Sequence, residues 1–184
     1  TNLKLSNKNL EIRKKNLNQF SENSFPNKRL EDWKFSDLNQ IISSNIKDLN
    51  FYINLPSEKV DADIFVNKFE HNKIIFVNGV ISNIDLSYED ESKVSLSRNL
   101  DFNEDYIEVN PLISLNNAFA SSYIGITVKE SYSFKCPLII YNITNNALQS
   151  TALNIRTDIV LEKNSSLKLI TLFDDSSENN FINI

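Results

Sequence analysis

The sequence has very little glycine and cysteine, and each shortage excludes a class of chemistry. Its 184 residues include only two glycines, Gly79 and Gly125, and neither precedes a lysine. The chain therefore has no G-x-x-x-x-G-K-[ST] phosphate-binding loop and no dinucleotide-binding G-x-G-x-x-G turn. A single cysteine, Cys136, cannot form an internal disulfide, which is typical of a reducing cytosol. We expect a cytoplasmic protein that does not hydrolyse ATP by itself.

Long apolar runs and an excess of positive charge are also absent. No stretch approaches the roughly 20 apolar residues of a membrane span, and residues 1–20 carry cations without the apolar centre of a signal peptide. The net charge of −5 and the pI near 5.0 argue against nucleic acid or an anionic membrane surface as partner, since both need a basic face. The length suffices for one domain with a sizeable core.

Residues 1–70 have the pattern of a helical segment followed by a linker. Apolar side chains recur at helical spacing from about Ser6 to Phe20, which predicts an amphipathic helix. Pro26 then favours a turn, and Ser36 is a candidate N-cap for a further helix. The second apolar stripe consists of Leu30, Trp33, Leu38, Ile41 and Ile42.

Residues 71–184 have the pattern of strands. The pair Asn78-Gly79 joins two β-rich runs in "KIIFVNGVISNIDLS" and predicts a type I′ hairpin. Asn110 and Pro111 open a short helix in "VNPLISLNNAFA". Five strand-like runs follow, with centres 14, 15, 14 and 13 residues apart, at Ile126, Ile140, Ile155, Leu169 and Ile182.

The spacing of these runs restricts the fold class. No helix-length segment separates them, which argues against a wound α/β sheet and leaves a β-sandwich or a β-solenoid. The near-even spacing favours the solenoid. We expect a mainly β fold with an N-terminal α segment: residues 1–70 form the helical segment and linker, and residues 71–184 form a β-hairpin, a short helix and the first coils of a β-helix.

One acidic stretch resembles a calcium-binding loop and fails as one. Asp101, Asn103 and Asp105 match the first three ligand positions. The sixth position, which needs glycine, is Tyr106, and the twelfth, which needs glutamate, is Leu112. The sequence predicts a solvated acidic loop here.

The only histidine and the only cysteine are both expected to be structural. His71 precedes a strand and has no cysteine near it, so we expect a surface or half-buried position. Cys136 alternates with Leu138 and Ile140, which predicts a small buried side chain. A redox or transient sulfur-accepting role for Cys136 remains the alternative.

Neither of two charged pairs has the pattern of a site. Glu31 and Asp32 are adjacent, so that on a helix they would point in different directions. Arg156 and Asp158 alternate onto one face of a strand, where a solvated charge ladder is the usual arrangement. Trp33, beside the first pair, is expected to bury its ring and to dock the helical segment. The sequence therefore predicts no catalytic, cofactor-binding or metal-ligating residue, and no enzyme.

The stretch "FPNKRLEDWKFSDL" resembles the N-terminal signature of the SufD family of the Suf iron–sulfur cluster assembly system. The matching positions are Pro26, Lys28, Arg29, Glu31, Asp32, Trp33, Lys34, Phe35, Ser36 and Leu38. Weaker similarities follow in the family's order, at Leu86-Ser87, at Leu115, Asn116 and Ala118, and at Arg156 in a stretch similar to its β-helix coils.

This resemblance implies a right-handed parallel β-helix and a non-catalytic scaffold subunit in a SufB–SufC–SufD complex. SufB and the ATPase SufC are the implied partners, and the family's SufC-binding helices are expected to lie beyond Ile184. The implied cofactor is an iron–sulfur cluster of the assembled complex, because clusters take up to four thiolates and this chain has one cysteine. The alternatives are a β-helix enzyme acting on polysaccharide and a bare protein-interaction module.

The last predicted strands raise a further hypothesis. "LKLITLF" and "FINI" would form an open C-terminal end with unpaired backbone groups. We expect exposed apolar side chains there, and self-association through this edge. The candidates for exposure are Leu169, Phe173, Phe181 and Ile182.

Overall fold

The computed structural model describes residues 7–51, 68–98, 110–145, 147–175 and 179–184. The linker residues 52–67 and the calcium-type loop at Asp101–Asp105 lie outside this part of the chain. The described elements, in chain order, are α1 (Asn7–Asn23), a 3₁₀ helix (Glu31–Trp33), α2 (Leu38–Asn45), β1 (Asn72–Val77), β2 (Val80–Asp85), β3 (Val94–Ser97), α3 (Pro111–Phe119), β4 (Ser122–Val128), β5 (Leu138–Thr144), β6 (Ala152–Leu161), β7 (Leu169–Asp175) and β8 (Phe181–Asn183). No described helix is both long and apolar enough to cross a membrane.

The N-terminal helices form as predicted, apart from the N-cap of α2 and the burial of Trp33. The N-cap of α2 is Asp37, whose carboxylate accepts a hydrogen bond from Gln40 N, and the prediction of Ser36 is wrong by one residue. An aspartate carboxylate is an equally good acceptor for the free N–H groups of a first turn. Trp33 is half-buried, and no residue of the 3₁₀ helix is buried. Trp33 is therefore less buried than predicted, and its role in docking this segment stays a prediction.

The hairpin between β1 and β2 has the predicted turn. Asn78 and Gly79 have φ values of 49° and 78°, which the type I′ turn requires at both central positions. Glycine is also needed for space, because a Cβ at Gly79 would lie 2.7 Å from Leu153 Cδ2. The turn therefore sets the antiparallel pairing of β1 with β2 and lets the hairpin approach β6.

Helix α3 begins at the predicted cap and supports α1. The Asn110 side chain accepts a hydrogen bond from Leu112 N, and Pro111 occupies the first turn. At the other end of α3 the guanidinium of Arg13 donates to Ala118 O (3.1 Å) and Ala120 O (2.8 Å). Burial lowers the pKa of Arg13 from its ordinary value. This cation joins α1 to the carbonyl end of α3, where a positive charge is favoured.

The eight described strands form two four-stranded mixed sheets, of order β2-β1-β5-β7 and β3-β4-β6-β8. In each sheet the first pair is antiparallel, and the other pairs are parallel. From β4 onward successive strands alternate between the sheets, so that each pairs with the strand two places away in sequence.

The prediction of a mainly β, right-handed parallel β-helix is wrong. In the described part of the chain the fold is mixed α/β, with three α-helices and two separate mixed sheets, neither of them closed or a solenoid. The even spacing of apolar runs located the strands, since each predicted centre falls in one of them. Spacing does not reveal pairing direction, and the antiparallel partners β2 and β3 make both sheets mixed.

The main core lies between the two sheets. It contains Ile74 and Phe76 from β1, Leu138 and Ile140 from β5, and apolar residues of β4 and β6 from the facing sheet. A second cluster covers the opposite face of β1 and β5, so that both strands are buried on both faces. Full burial of each such side chain contributes about 1.5–3 kcal/mol. Burial on both faces explains why the sequences of β1 and β5 are almost continuously apolar.

Candidate functional site

The far edges of the two sheets are only partly paired. Among the described strands, β7 is the last of its sheet. In the other sheet β8 pairs only with Ala152–Asn154 of the ten-residue β6. In the described part of the chain, no strand continues beside the rest of β6 on that side. We call β7 together with residues 155–161 of β6 the open edge.

The open edge carries exposed apolar side chains. Phe173 is 59% exposed and Leu169 is 45% exposed, as the sequence predicted for both. Val160, Leu161 and Ile170 are also exposed. Exposed apolar side chains beside unpaired backbone are typical of a surface that another strand covers.

The short strand β8 is better covered than the sequence predicted. Phe181 and Ile182 are half-buried rather than fully exposed. The Phe25 ring packs edge-on against Phe181 with 5.6 Å between centroids, and it contacts Phe20 of α1 in the same way at 5.1 Å. The N-terminal turn thus covers β8, and the open edge is mainly β7 and the second half of β6.

The charges of β6 connect the sheet to the helices. Arg156 Nε donates to Asp158 Oδ1 (2.9 Å), and its guanidinium also donates to Asn117 Oδ1 on α3. Asn117 in turn donates to Asn16 Oδ1 on α1 at 3.3 Å. The predicted solvated ladder is therefore a partly buried network that holds both helices on β6.

A carboxylate that the sequence did not single out is the centre of the most connected polar group. Glu89 is buried, and its carboxylate accepts hydrogen bonds from Asn72 Nδ2 (2.7 Å) and from the Tyr132 hydroxyl (2.8 Å). It also accepts from the backbone N–H groups of Lys135 (3.1 Å) and Cys136 (3.2 Å). Glu89 thereby fastens the segment before β3 to the segment before β5.

The pKa of Glu89 reflects this environment. Burial acts to raise the pKa, but the hydrogen bonds from Lys135 N, Asn72, Tyr132 and Cys136 N outweigh it, so that the pKa lies below its ordinary value. Four donors thus hold the charged form of a buried acid. These donors come from segments that are distant in sequence and are held together by one carboxylate, which indicates a structural role.

His71 is more buried than the sequence predicted. It is 8% exposed, and both ring nitrogens have partners. The Phe69 carbonyl lies 3.0 Å from Nδ1, which must carry the proton because a carbonyl only accepts. In the neutral ring Nε2 then accepts from the hydroxyl of Tyr141 at 2.9 Å. His71 is one of the residues that line an open cleft of about 380 Å³, and neither of its ring nitrogens is free for a ligand.

Cys136 lies before β5 rather than on its alternating face, because β5 begins at Leu138. The thiol is half-buried, and burial, followed by the charges of Glu70 and Glu89, raises its pKa. The backbone of Cys136 takes part in hydrogen bonding, because its carbonyl accepts a hydrogen bond from Asn72 Nδ2 at 3.1 Å. A raised thiol pKa reduces the thiolate fraction that redox or sulfur-accepting chemistry would need.

One buried amide has no partner. Asn142 on β5 is 4% exposed and is paired in register between Phe76 and Phe173, on the face towards the other sheet. Among the described residues, none forms a hydrogen bond with its Oδ1 or Nδ2. The free energy cost of such a group is about 1–3 kcal/mol. Asn142 is thus a weak point of the core next to the open edge.

Comparisons with known proteins add no family to this description. No family model matches the chain, and no curated protein is significantly similar to it. Among the described residues, no three His, Cys, Asp or Glu side chains are grouped so as to hold a metal ion.

Proposed function

We propose that this chain is a non-catalytic scaffold subunit that binds other protein chains through the open edge. The observation that carries the proposal is the exposed apolar surface on β7 and on the second half of β6, above all Phe173 and Leu169. Backbone N–H and C=O groups along the same strands offer hydrogen bonds to an added strand. Apolar contacts and backbone hydrogen bonds can therefore both contribute to binding at the open edge.

The proposed system is Suf iron–sulfur cluster assembly. Support comes from the stretch between Phe25 and Leu38, whose residues match the SufD signature in order. SufB and the ATPase SufC are the partners that this resemblance implies, and the cluster would belong to the assembled complex. The observed fold gives this assignment no support, because it is not the β-helix that the resemblance implies. The assignment rests on the motif and on the open edge.

The test is reconstitution with purified subunits. The chain is mixed with SufB, with SufC and with both, and complex formation is followed by size-exclusion chromatography with light scattering. We expect a stable complex with SufB, with or without SufC. A chain that elutes separately from both proteins at micromolar concentrations would contradict the Suf assignment.

Matched variants locate the binding surface. Phe173→Lys removes an exposed ring from the open edge, and Phe35→Lys removes the exposed ring of the N-terminal stretch. We expect only the first to abolish binding. Loss of binding with Phe35→Lys alone would move the interface to the SufD-like stretch and would contradict the role of the open edge.

A further inference from the structure

A groove opens between β2 and β3, which are the first strands of the two sheet orders. It has a volume of about 520 Å³, which lies within the range of sites that bind organic groups. Residues 84–87, 89–91, 94 and 96 line it. We call this space the acidic groove, because its lining combines apolar side chains with carboxylates.

The apolar side of the acidic groove continues the main core. Val94 is a buried member of that core, and Ile84 packs against it together with Leu86. Leu96 is two residues beyond Val94 on β3 and therefore lies on the same face of the strand. It is nevertheless 42% exposed. An apolar side chain that is left open on the inner face of a sheet is typical of a position that a bound apolar group covers.

The charged side of the acidic groove has one sign. Every charged residue in the described lining is an acid: Asp85, Glu89, Asp90 and Glu91. Asp90 and Glu91 are exposed, so that they are accessible to a partner. A concave surface lined by charges of one sign concentrates the electrostatic field and attracts a partner of the opposite sign.

Neighbouring serines hold two of these carboxylates in place. Asp85 Oδ1 accepts a hydrogen bond from Ser87 N (3.1 Å), and Asp90 Oδ1 accepts one from Ser92 N (2.8 Å). Hydrogen bonds from Ser87 and Ser92 keep the pKa of Asp85 and of Asp90 below its ordinary value. Both carboxylates are therefore charged at neutral pH.

The lysines near these carboxylates lie outside the groove. Lys73 stabilises the charge of Asp85, and Lys93 and Lys135 stabilise that of Asp90, in each case less than the serine hydrogen bonds do. None of the three lysines lines the groove. The space inside it therefore faces carboxylates and apolar groups.

We propose that the acidic groove binds a short protein segment whose apolar side chains are flanked by lysine or arginine. Leu96 and Ile84 contact the apolar side chains of this segment, and Asp90 and Glu91 pair with its cations. Charge complementarity selects this occupant, because the same carboxylates repel a nucleic acid or an anionic membrane. The volume of the groove accommodates a few side chains of such a segment.

The acidic groove is separate from the open edge. Strands β2 and β7 are at opposite ends of one sheet order, and β3 and β8 are at opposite ends of the other. A segment in the groove therefore leaves the open edge accessible to another subunit. The two surfaces can be tested independently of each other.

The first test uses a synthetic peptide of leucine and lysine, with the leucines on one helical face, as the probe. The fluorescently labelled peptide is titrated with the full chain, and binding is followed by fluorescence anisotropy. Two control peptides of the same length replace lysine by glutamate or leucine by serine. We expect only the leucine–lysine peptide to bind. Equal binding of the leucine–glutamate peptide would overturn the charge complementarity, and equal binding of the serine–lysine peptide would overturn the role of the apolar side chains.

Matched variants locate the bound peptide. Leu96→Gln and Glu91→Lys should each weaken binding by about tenfold, through loss of apolar contact and of charge attraction. Leu10→Gln is the control for the first, because Leu10 is also 42% exposed, and Glu22→Lys makes the same charge change on the exposed surface of α1. All four positions are exposed, so that circular dichroism should show an unchanged fold. Groove variants that bind as well as their controls would overturn the proposal.

Hydrogen exchange separates the acidic groove from the open edge. The leucine–lysine peptide should protect backbone amides within residues 84–96 and leave residues 155–161 and 169–175 unchanged. Phe173→Lys should not affect peptide binding. Protection confined to the open edge would overturn the groove and leave the proposed function standing, whereas peptide binding in the groove by a chain that binds neither Suf subunit supports the groove and removes the Suf assignment.

Discussion

The substitution Glu89→Gln tests the most connected polar group of the structure. Glutamine has the shape of glutamate, but it presents one oxygen and an NH₂ group to donors that all need an acceptor. Asn72 and Tyr132 donate to the carboxylate over 2.7 and 2.8 Å, and two backbone N–H groups complete its shell. The substitution therefore removes the charge and leaves at least one donor without a partner.

The expected loss of stability follows from these contacts. A hydrogen bond to a charged group contributes about 1.5–3 kcal/mol, and a buried donor without a partner costs a similar amount. The site is near the surface, where water can replace part of the loss. We expect Glu89→Gln to lower the free energy of unfolding by about 2 kcal/mol at pH 7.

The pH dependence of this difference has a definite sign. The folded-state pKa of Glu89 lies below its ordinary value. A group of this kind contributes stability that is fully present above its unfolded pKa, near 4.3, and that is lost as the pH falls through the lower folded-state pKa. The difference between wild type and Glu89→Gln should therefore be constant at neutral pH and shrink below about pH 4.

The assay is urea unfolding followed by circular dichroism and by the fluorescence of the only tryptophan, Trp33, from pH 7 to pH 3. Glu91→Gln, which removes an exposed carboxylate two residues away, is the control and should have almost no effect. A stability difference for Glu89→Gln that is the same at pH 3 and pH 7 would refute the role of the charged carboxylate, as would a loss equal to that of the control.

Three further predictions concern other buried groups. Tyr141→Phe removes the hydroxyl that faces His71 Nε2 and should lower the free energy of unfolding by about 1–3 kcal/mol, with a shifted imidazole signal in the NMR spectrum; an unchanged signal would contradict the hydrogen bond. Asn142→Leu replaces a buried amide without a partner and should raise the urea midpoint, whereas a lower midpoint would show that the amide is satisfied. The half-buried Cys136 thiol, whose pKa is raised, should react with a thiol reagent at pH 7 more slowly in the native chain than in urea; equal rates would contradict its protection.

Local structure was predictable because short-range chemistry determines it. Asn78-Gly79 tolerates positive φ, and Asn110-Pro111 supplies both a cap and a fixed φ, so the hairpin and α3 appear where the sequence indicated. The cap of α2 was missed by one residue because Ser36 and Asp37 are both good caps. Which of the two residues caps the helix depends on the path that the backbone takes into its first turn.

The polar groups that hold the structure together were not predictable from pattern. Glu89 lies in an acidic stretch of ordinary appearance, and its donors come from 17 to 47 residues away in sequence. His71 was expected nearer the surface, because its partner Tyr141 is 70 residues away. A lone titratable residue gives no sign of the donors that the fold will bring to it.

By itself the sequence determined where the helices and the described strands other than β3 lie, which turn joins β1 to β2, and that Leu169 and Phe173 would be exposed. These features depend on residue type and on neighbours close in the chain. Only the tertiary structure decided that the strands form two mixed sheets, that a buried carboxylate joins distant segments, and that β7 is the last described strand of its sheet. Each of these depends on which strands pair and in which direction, and apolar periodicity is the same for parallel and antiparallel neighbours.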